Sequence, residues 1–203
     1  MVYISGGMLR GRRLQVPNEP WIRPTMGLIR HSLFQLLQPH LAESRVLDLF
    51  AGCGLLGLEA LSRGAKEVFF VDLQRKAVQS IEKNVTLCGV RNRCTLLQGN
   101  LSHEETWHKI CHEASTIAHP AAPVKENGFD LVLMDPPYRQ GWIPVILHRL
   151  QQSNLLSPGA VIATEQEAQE EPPSSTPWRL LDNRRYGDTR IVLWQQPPAP
   201  TIP

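Results

Sequence analysis

No stretch of this chain approaches the roughly 20 consecutive apolar residues that a membrane-spanning helix needs. Nor does the N-terminus read as a secretion signal, because Arg10, Arg12 and Arg13 interrupt it before an apolar core of sufficient length appears. Cysteine is scarce: Cys53, Cys88, Cys94 and Cys111 form no C-x-x-C pair, which argues against a disulfide framework and a zinc knuckle. A soluble, cytoplasmic protein with reduced thiols and no membrane partner is therefore expected. An excess of one charge is missing too, since 21 Lys+Arg face 19 Asp+Glu for a net charge of +2. Residues 1–40 nevertheless carry +4 and the remainder −2, so the basic character belongs to the N-terminus. With 203 residues, 42% hydrophobic and 20% charged, the chain is long enough for one domain with a small appendage. Collagen-like, coiled-coil and wholly disordered classes are excluded by that composition.

Residues 2–5 and 12–16 are short β-prone runs around a Gly- and Arg-rich turn, which predicts a hairpin. Apolar residues at Ile29, Leu33, Phe34, Leu36 and Leu37 predict a helix closed by Pro39. From residue 45 strands and helices alternate. Strands are predicted at 45–50, 67–72, 93–98, 130–134 and 160–164, with helices at 55–62, 76–87 and 142–151. Near the end, 178–186 and 190–195 flank Gly187-Asp188 as an antiparallel hairpin. The pattern predicts a doubly wound α/β fold, a mostly parallel seven-stranded sheet with ligands at its carboxyl rim. The expected organisation is an N-terminal basic hairpin and helix over 1–41, a catalytic domain over 42–196 and a Pro-rich disordered tail at 197–203. Residues 165–177 read as a mobile loop. The 102–127 segment is long for a connection. It holds His103, His108, Cys111, His112 and His119 at irregular spacing, and reads as a solvated helix-loop, not a metal site.

The first strand of this pattern runs into Asp48-Leu49-Phe50-Ala51-Gly52-Cys53-Gly54. Glycines at 52 and 54 clear the backbone for a cofactor beside the free N–H groups of the following helix. Gly52 to Gly57 also reads literally as G-x-G-x-x-G, the dinucleotide fingerprint. Asp48 inside the strand suits instead a cofactor with an ammonium group and no phosphate. Asp72, ending the next strand, is placed to accept both ribose hydroxyls of an adenosine cofactor. Asn100, beyond the third strand, is placed to bond an adenine edge or to form a turn. The candidate cofactor residues are therefore Asp48, Phe50, Gly52, Gly54, Asp72 and Asn100.

Asp135-Pro136-Pro137-Tyr138 at the end of the fourth strand discriminates further. The prolines freeze the chain exit and leave carbonyls without local N–H partners. The Asp135 carboxylate and the Pro136 carbonyl then offer two acceptors to one exocyclic NH₂ group, whose nitrogen lone pair is drawn out of conjugation. Tyr138 offers a flat face for a base. Asp135, Pro136 and Tyr138 are the candidate catalytic residues.

Further matching pieces are Ile4-Ser5-Gly6-Gly7, Arg10-Gly11-Arg12-Arg13-Leu14, Arg23-Pro24-Thr25, Arg30, Leu33-Phe34, VLDLFAG at 46–52, LEALSRGA at 58–65 and Tyr186-Gly187-Asp188-Thr189. On these and on DPPY at 135–138, nearly the whole chain resembles the bacterial 16S ribosomal RNA guanine-N(2)-methyltransferase family (RsmD-like). The chain departs from it at Met26-Gly27-Leu28 and His31, at Cys53 where serine is commoner, and in the longer 102–127 segment. The resemblance implies S-adenosylmethionine as cofactor and the 2-amino group of a guanine in small-subunit ribosomal RNA as acceptor. Arg10, Arg12, Arg13, Arg23 and Thr25 would hold the RNA backbone, with Tyr138 on the base, and a monomer is expected. Three alternatives remain open: an amino methyltransferase acting on adenine or cytosine, a nicotinamide oxidoreductase using the Gly52–Gly57 loop, and a non-catalytic RNA-binding module.

Overall fold

The computed structural model describes residues 2–17, 27–117, 128–173 and 176–196. An antiparallel hairpin, β1 (Val2–Tyr3) and β2 (Arg13–Leu14), leads to α1 (Gly27–Leu36). Then follow β3 (Arg45–Leu49), α2 (Leu55–Ser62), β4 (Glu67–Asp72), α3 (Arg75–Leu87) and β5 (Cys94–Gln98). The chain continues through α4 (Glu104–Ile117), β6 (Phe129–Met134), α5 (Trp142–Gln152), β7 (Leu156–Glu167), β8 (Arg179–Tyr186) and β9 (Thr189–Gln195). Seven strands form one sheet in the order β5-β4-β3-β6-β7-β9-β8. Pairings from β5 through β7 are parallel, and those of β9 with β7 and β8 are antiparallel. All five residues of β3 are buried, which explains its continuous apolar reading: a central parallel strand is covered on both faces.

Chain direction across the sheet reverses between β3 and β6. From β3 the chain steps outward to β4 and β5, then returns to place β6 on the other side of β3. Helices α2 and α3 pack on one face with Leu58, Leu61, Ile81 and Val85, while α4 and α5 cover the other with Trp107, Ile110, Ile146 and Leu150. The loops leaving β3 and β6 thus diverge to opposite faces. Such a divergence opens a crevice at the carboxyl rim.

The N-terminal hairpin and α1 have no core of their own. Ile4, Leu9, Leu14, Ile29, Leu33 and Phe34 share one apolar cluster with α2, α3 and the sheet strands. Polar bonds fix the hairpin in register on α2. The Ser5 N–H donates to Glu59 Oε2 at 2.8 Å, the Leu9 N–H to Ser62 Oγ at 2.8 Å, and the Met8 N–H to the Ser62 carbonyl at 2.7 Å. Glu59 itself is fully buried between Arg63 at 2.7 Å and Arg30 at 3.4 Å. Gly7 has a φ of +75°, and a Cβ there would stand 1.8 Å from the Ser62 carbonyl oxygen, so glycine alone permits this contact.

Two segments differ from the sequence reading. Residues 104–117 form a helix whose Trp107, Ile110 and Ala114 enter the core, so the segment is half-buried rather than only solvated. No group of three metal-ligating side chains forms among the described residues, and His119 lies outside them. The predicted loop at 165–177 begins as strand, because β7 pairs with β9 through Glu167 opposite Thr189. Beyond it, Ala168 N–H donates to the Asp188 carbonyl at 2.8 Å, and Arg190 binds the Ala168 carbonyl and Glu171. Pairing with a strand distant in sequence overrides the local acidic and Pro-rich composition. The tail at 197–203 lies outside the described residues, and among those described no helix is long and apolar enough to cross a membrane.

Candidate active site

The loop after β3 carries three residues with positive φ: Phe50 at 60°, Gly52 at 58° and Gly54 at 79°. Phe50 holds a conformation unusual for a bulky residue, with its ring edge-on to Trp142 at 5.3 Å. At Gly52 a Cβ would find nothing nearer than the Phe50 carbonyl at 4.0 Å, so the loop surface there is open to a ligand. At Gly54 the opposite side is closed, with Ile81 and Phe70 at 3.2–3.4 Å from such a Cβ. Asn84, fully buried on α3, donates to the Cys53 carbonyl and to the Gln15 carbonyl, both at 2.9 Å. One side chain therefore ties the glycine loop to the end of the N-terminal hairpin.

Two aspartates anchor the loop from beneath. Asp48 is 1% exposed, and its Oδ2 accepts the Gly57 N–H at 2.9 Å. Burial, opposed by that bond and assisted by the charge of Asp72, pushes its carboxyl up to about 7. Asp48 thus lies under the loop, bonded to it and not exposed at its surface. Asp72 accepts the Gly52 N–H on Oδ2 and the Gln74 N–H on Oδ1, both at 2.8 Å. Each oxygen keeps a second lone pair for a ligand hydroxyl. Burial raises the Asp72 carboxyl as well, against those two bonds. A cationic ligand would favour the ionised form of both carboxylates, whereas a diphosphate at this helix start would meet the repulsion of Asp48 beneath it. The pair of carboxylates therefore fits a cationic adenosine cofactor better than a dinucleotide.

Leu73, about half exposed between Asp72 and Gln74, adds an apolar face that sequence reasoning missed. Asn100 serves a turn: its Oδ1 accepts the Ser102 N–H at 3.0 Å and the Ser102 hydroxyl at 2.7 Å, just ahead of α4. The oxygen expected to face adenine is engaged in this Asx turn, and the amide nitrogen lies 3.4 Å from His103 Nε2.

Asp72→Ala removes a ligand acceptor and frees Gly52 and Gln74 together. The affinity for S-adenosylhomocysteine, read by calorimetry, should fall by about 1.5–3 kcal/mol. Unchanged affinity in a folded variant would remove Asp72 from the cofactor site.

Asp135 follows β6 directly and is partly exposed, Pro136 is buried, and Pro137 and Tyr138 face solvent. The Tyr138 hydroxyl donates to Glu165 Oε1 at 3.2 Å and lies 3.4 Å from Thr189 Oγ1. Burial, together with the charges of Glu165 and Asp135 and against the Thr189 bond, raises the phenol well above its ordinary value. The ring is therefore tethered at its neutral tip while about 40% of the residue stays exposed. Thr189 belongs to the Tyr186–Thr189 motif; Glu165 had read only as part of an acidic loop. A cavity of about 270 Å³ opens here, lined by Pro136, Tyr138, Trp142, Ile143, Glu165 and Gln166 among others.

On the hairpin, Arg10, Arg12 and Arg13 are exposed and form no ion pair among the described residues. Arg23 and Thr25 lie outside the described residues. Cys53 is buried and its thiol is pushed up to about 11 by burial, which makes it unreactive.

A ribosomal RNA small subunit methyltransferase D of Haemophilus influenzae is 33% identical over 96% of this chain and 93% of its own. Its Escherichia coli K12 counterpart of the same name is 32% identical over 96% and 90%. A solved Escherichia coli structure, yhhF, described provisionally as a methyltransferase, superposes with a TM-score of 0.76 at 29% identity over 98% and 99% of the two chains. A family model described as Conserved hypothetical protein 95 matches residues 2–195, and the chain belongs to that family.

Proposed function

We propose that this chain transfers a methyl group from S-adenosylmethionine to the exocyclic 2-amino group of a guanine in small-subunit ribosomal RNA. One observation carries the reading. The Gly52–Gly54 loop, Asp72 and the Asp135–Tyr138 tetrapeptide leave three adjacent parallel strands, β3, β4 and β6, on one rim at the point where the sheet's direction reverses. The names of the relatives support the substrate class.

Bound against the glycine loop, S-adenosylmethionine would supply a methyl group on a cationic sulfur. Asp72 and Leu73 are placed to hold its adenosine half, and Asp48 favours its positive charge through the loop. The target base has to leave its stack to reach the rim. Tyr138 then receives its flat face, with the ring's own hydroxyl tethered to Glu165 and Thr189. The Asp135 carboxylate and the Pro136 carbonyl accept the two amine N–H bonds and turn the nitrogen lone pair outward. The methyl group would pass to nitrogen as its bond to sulfur breaks to a neutral thioether, and the proton displaced from the amine would pass to the Asp135 carboxylate or to water. Alignment of nitrogen, methyl and sulfur is the main contribution, and the Asp135 charge offsets the positive charge that builds on nitrogen. Nucleoside analysis of small-subunit RNA methylated by the purified protein tests the reading. N²-methylguanosine is expected, and N⁶-methyladenosine or N⁴-methylcytidine in its place would overturn it.

The exposed hairpin arginines are assigned to RNA phosphates. Changing Arg10, Arg12 and Arg13 to Ala should weaken RNA binding and lower the log–log salt slope by roughly 2–3. S-adenosylhomocysteine affinity should be unaltered. Equal RNA binding at every salt concentration would reduce the hairpin to a solvated surface.

A further inference from the structure

The amine-orienting pair does not by itself distinguish one nucleobase from another. Asp135 and the Pro136 carbonyl would turn any exocyclic amine, whether of guanine, adenine or cytosine. What differs is the ring atom next to that amine. Guanine has an N1–H donor on one side of its amine, opposite the N3 acceptor; adenine at N1, and cytosine at N3, have only a bare acceptor beside theirs. A group that reads this one atom would decide the substrate.

Glu165 stands where such a group has to stand. On neighbouring parallel strands Met134 pairs with Thr164, so the next residues along, Asp135 at the exit of β6 and Glu165 within β7, follow that pair side by side. Glu165 is 5% exposed and lines the cavity that Pro136 and Tyr138 also line. Its Oε1 accepts the Tyr138 hydroxyl at 3.2 Å, which fixes the carboxylate relative to the ring on which the base would stack. We propose that Glu165 selects guanine by accepting the N1–H beside the reacting 2-amino group. The inference rests on the guanine-N2 reading above and adds the residue that enforces it. A carboxylate has acceptors only. Within a half-buried cavity it attracts N1–H strongly and repels the lone pair that adenine or cytosine would present at the same place. Asp135 thereby orients the amine, and Glu165 rejects bases whose amine has the wrong neighbour.

The test uses small-subunit RNA in which the guanosine methylated by the wild-type protein, located by mass mapping, is replaced by 2-aminopurine riboside. That analogue keeps the 2-amino group but presents a bare acceptor at N1. Wild-type kcat/KM should favour guanosine by on the order of 10²-fold, as expected when a site built around a hydrogen bond meets an analogue lacking it. Glu165→Gln retains an oxygen for Tyr138 and for N1–H, yet it also offers an amide donor to the bare N1. It should therefore shrink the preference by about tenfold or more, mainly by improving use of the analogue, while S-adenosylhomocysteine affinity holds at the wild-type value. The same preference in wild type and Glu165→Gln, or no wild-type preference at all, would overturn the role of Glu165 and leave the guanine-N2 reading standing. Wild-type product without N²-methylguanosine would instead remove the reading itself, and the inference with it.

Discussion

Asp135→Ala is expected to slow single-turnover methylation at saturating RNA by on the order of 10²–10³. In the proposed reaction the substitution removes one of two amine acceptors and the only charge among them, while Pro136 is buried and keeps its backbone carbonyl. Asp135 follows β6 outside the glycine loop, so the bonds that Asp72 and Asp48 make to that loop remain. Affinities for S-adenosylhomocysteine and for RNA should accordingly match the wild type, and the loss should appear in the chemical step. Asp135→Asn keeps an acceptor oxygen without the charge and should fall between the two. Near-normal turnover by Asp135→Ala would refute the amine-orienting role.

The second large effect is one of stability. Glu59 is fully buried with Arg63 and Arg30 on it and the Ser5 N–H and hydroxyl bonded to it. Glu59→Ala leaves two largely buried guanidinium groups without their carboxylate. Breaking a buried ion pair from one side costs about 3–5 kcal/mol, a large share of the 5–15 kcal/mol that holds a typical domain together. The denaturation midpoint should drop accordingly, and amide exchange should quicken first at Met8 and Leu9, whose N–H groups rest on Ser62. Because the hairpin carries Arg10, Arg12 and Arg13, RNA affinity should fall with it at temperatures where the sheet is still folded. An unchanged midpoint would show that the apolar contacts of Ile4, Leu9 and Leu14 hold the hairpin without Glu59.

These two residues differ in how far the sequence discloses them. Asp135 announces itself through its neighbours, since Pro136, Pro137 and Tyr138 follow it directly and the strand before it is apolar from Leu131 to Met134. The glycine loop and Asp72 are legible for the same reason: each lies at the end of a strand that local composition defines. Glu59 had no such signal. Its partners Ser5 and Arg30 come from the hairpin and α1, and a carboxylate inside an otherwise apolar helix reads as an exposed face until the hairpin is laid over it. Tyr138 shows the same limit, because its tethers Glu165 and Thr189 are 27 and 51 residues away. The continuation of β7 to Glu167 likewise depended on pairing with β9, which no local pattern at 165–171 encodes. Asn100 carried two readings, a turn and an adenine contact, and the structure gives its oxygen to the turn.

The rim shared by β3, β4 and β6 is proposed to methylate one guanine of small-subunit RNA at N2. Mass mapping of that RNA from cells with and without the protein tests it most directly, with Asp135→Ala restored as the control. A single guanine bearing one methyl group is expected with the wild-type protein, none when the protein is absent, and a strongly reduced fraction with Asp135→Ala. Identical small-subunit RNA in all three cells, or a methyl group lost from adenine or cytosine instead, would contradict it.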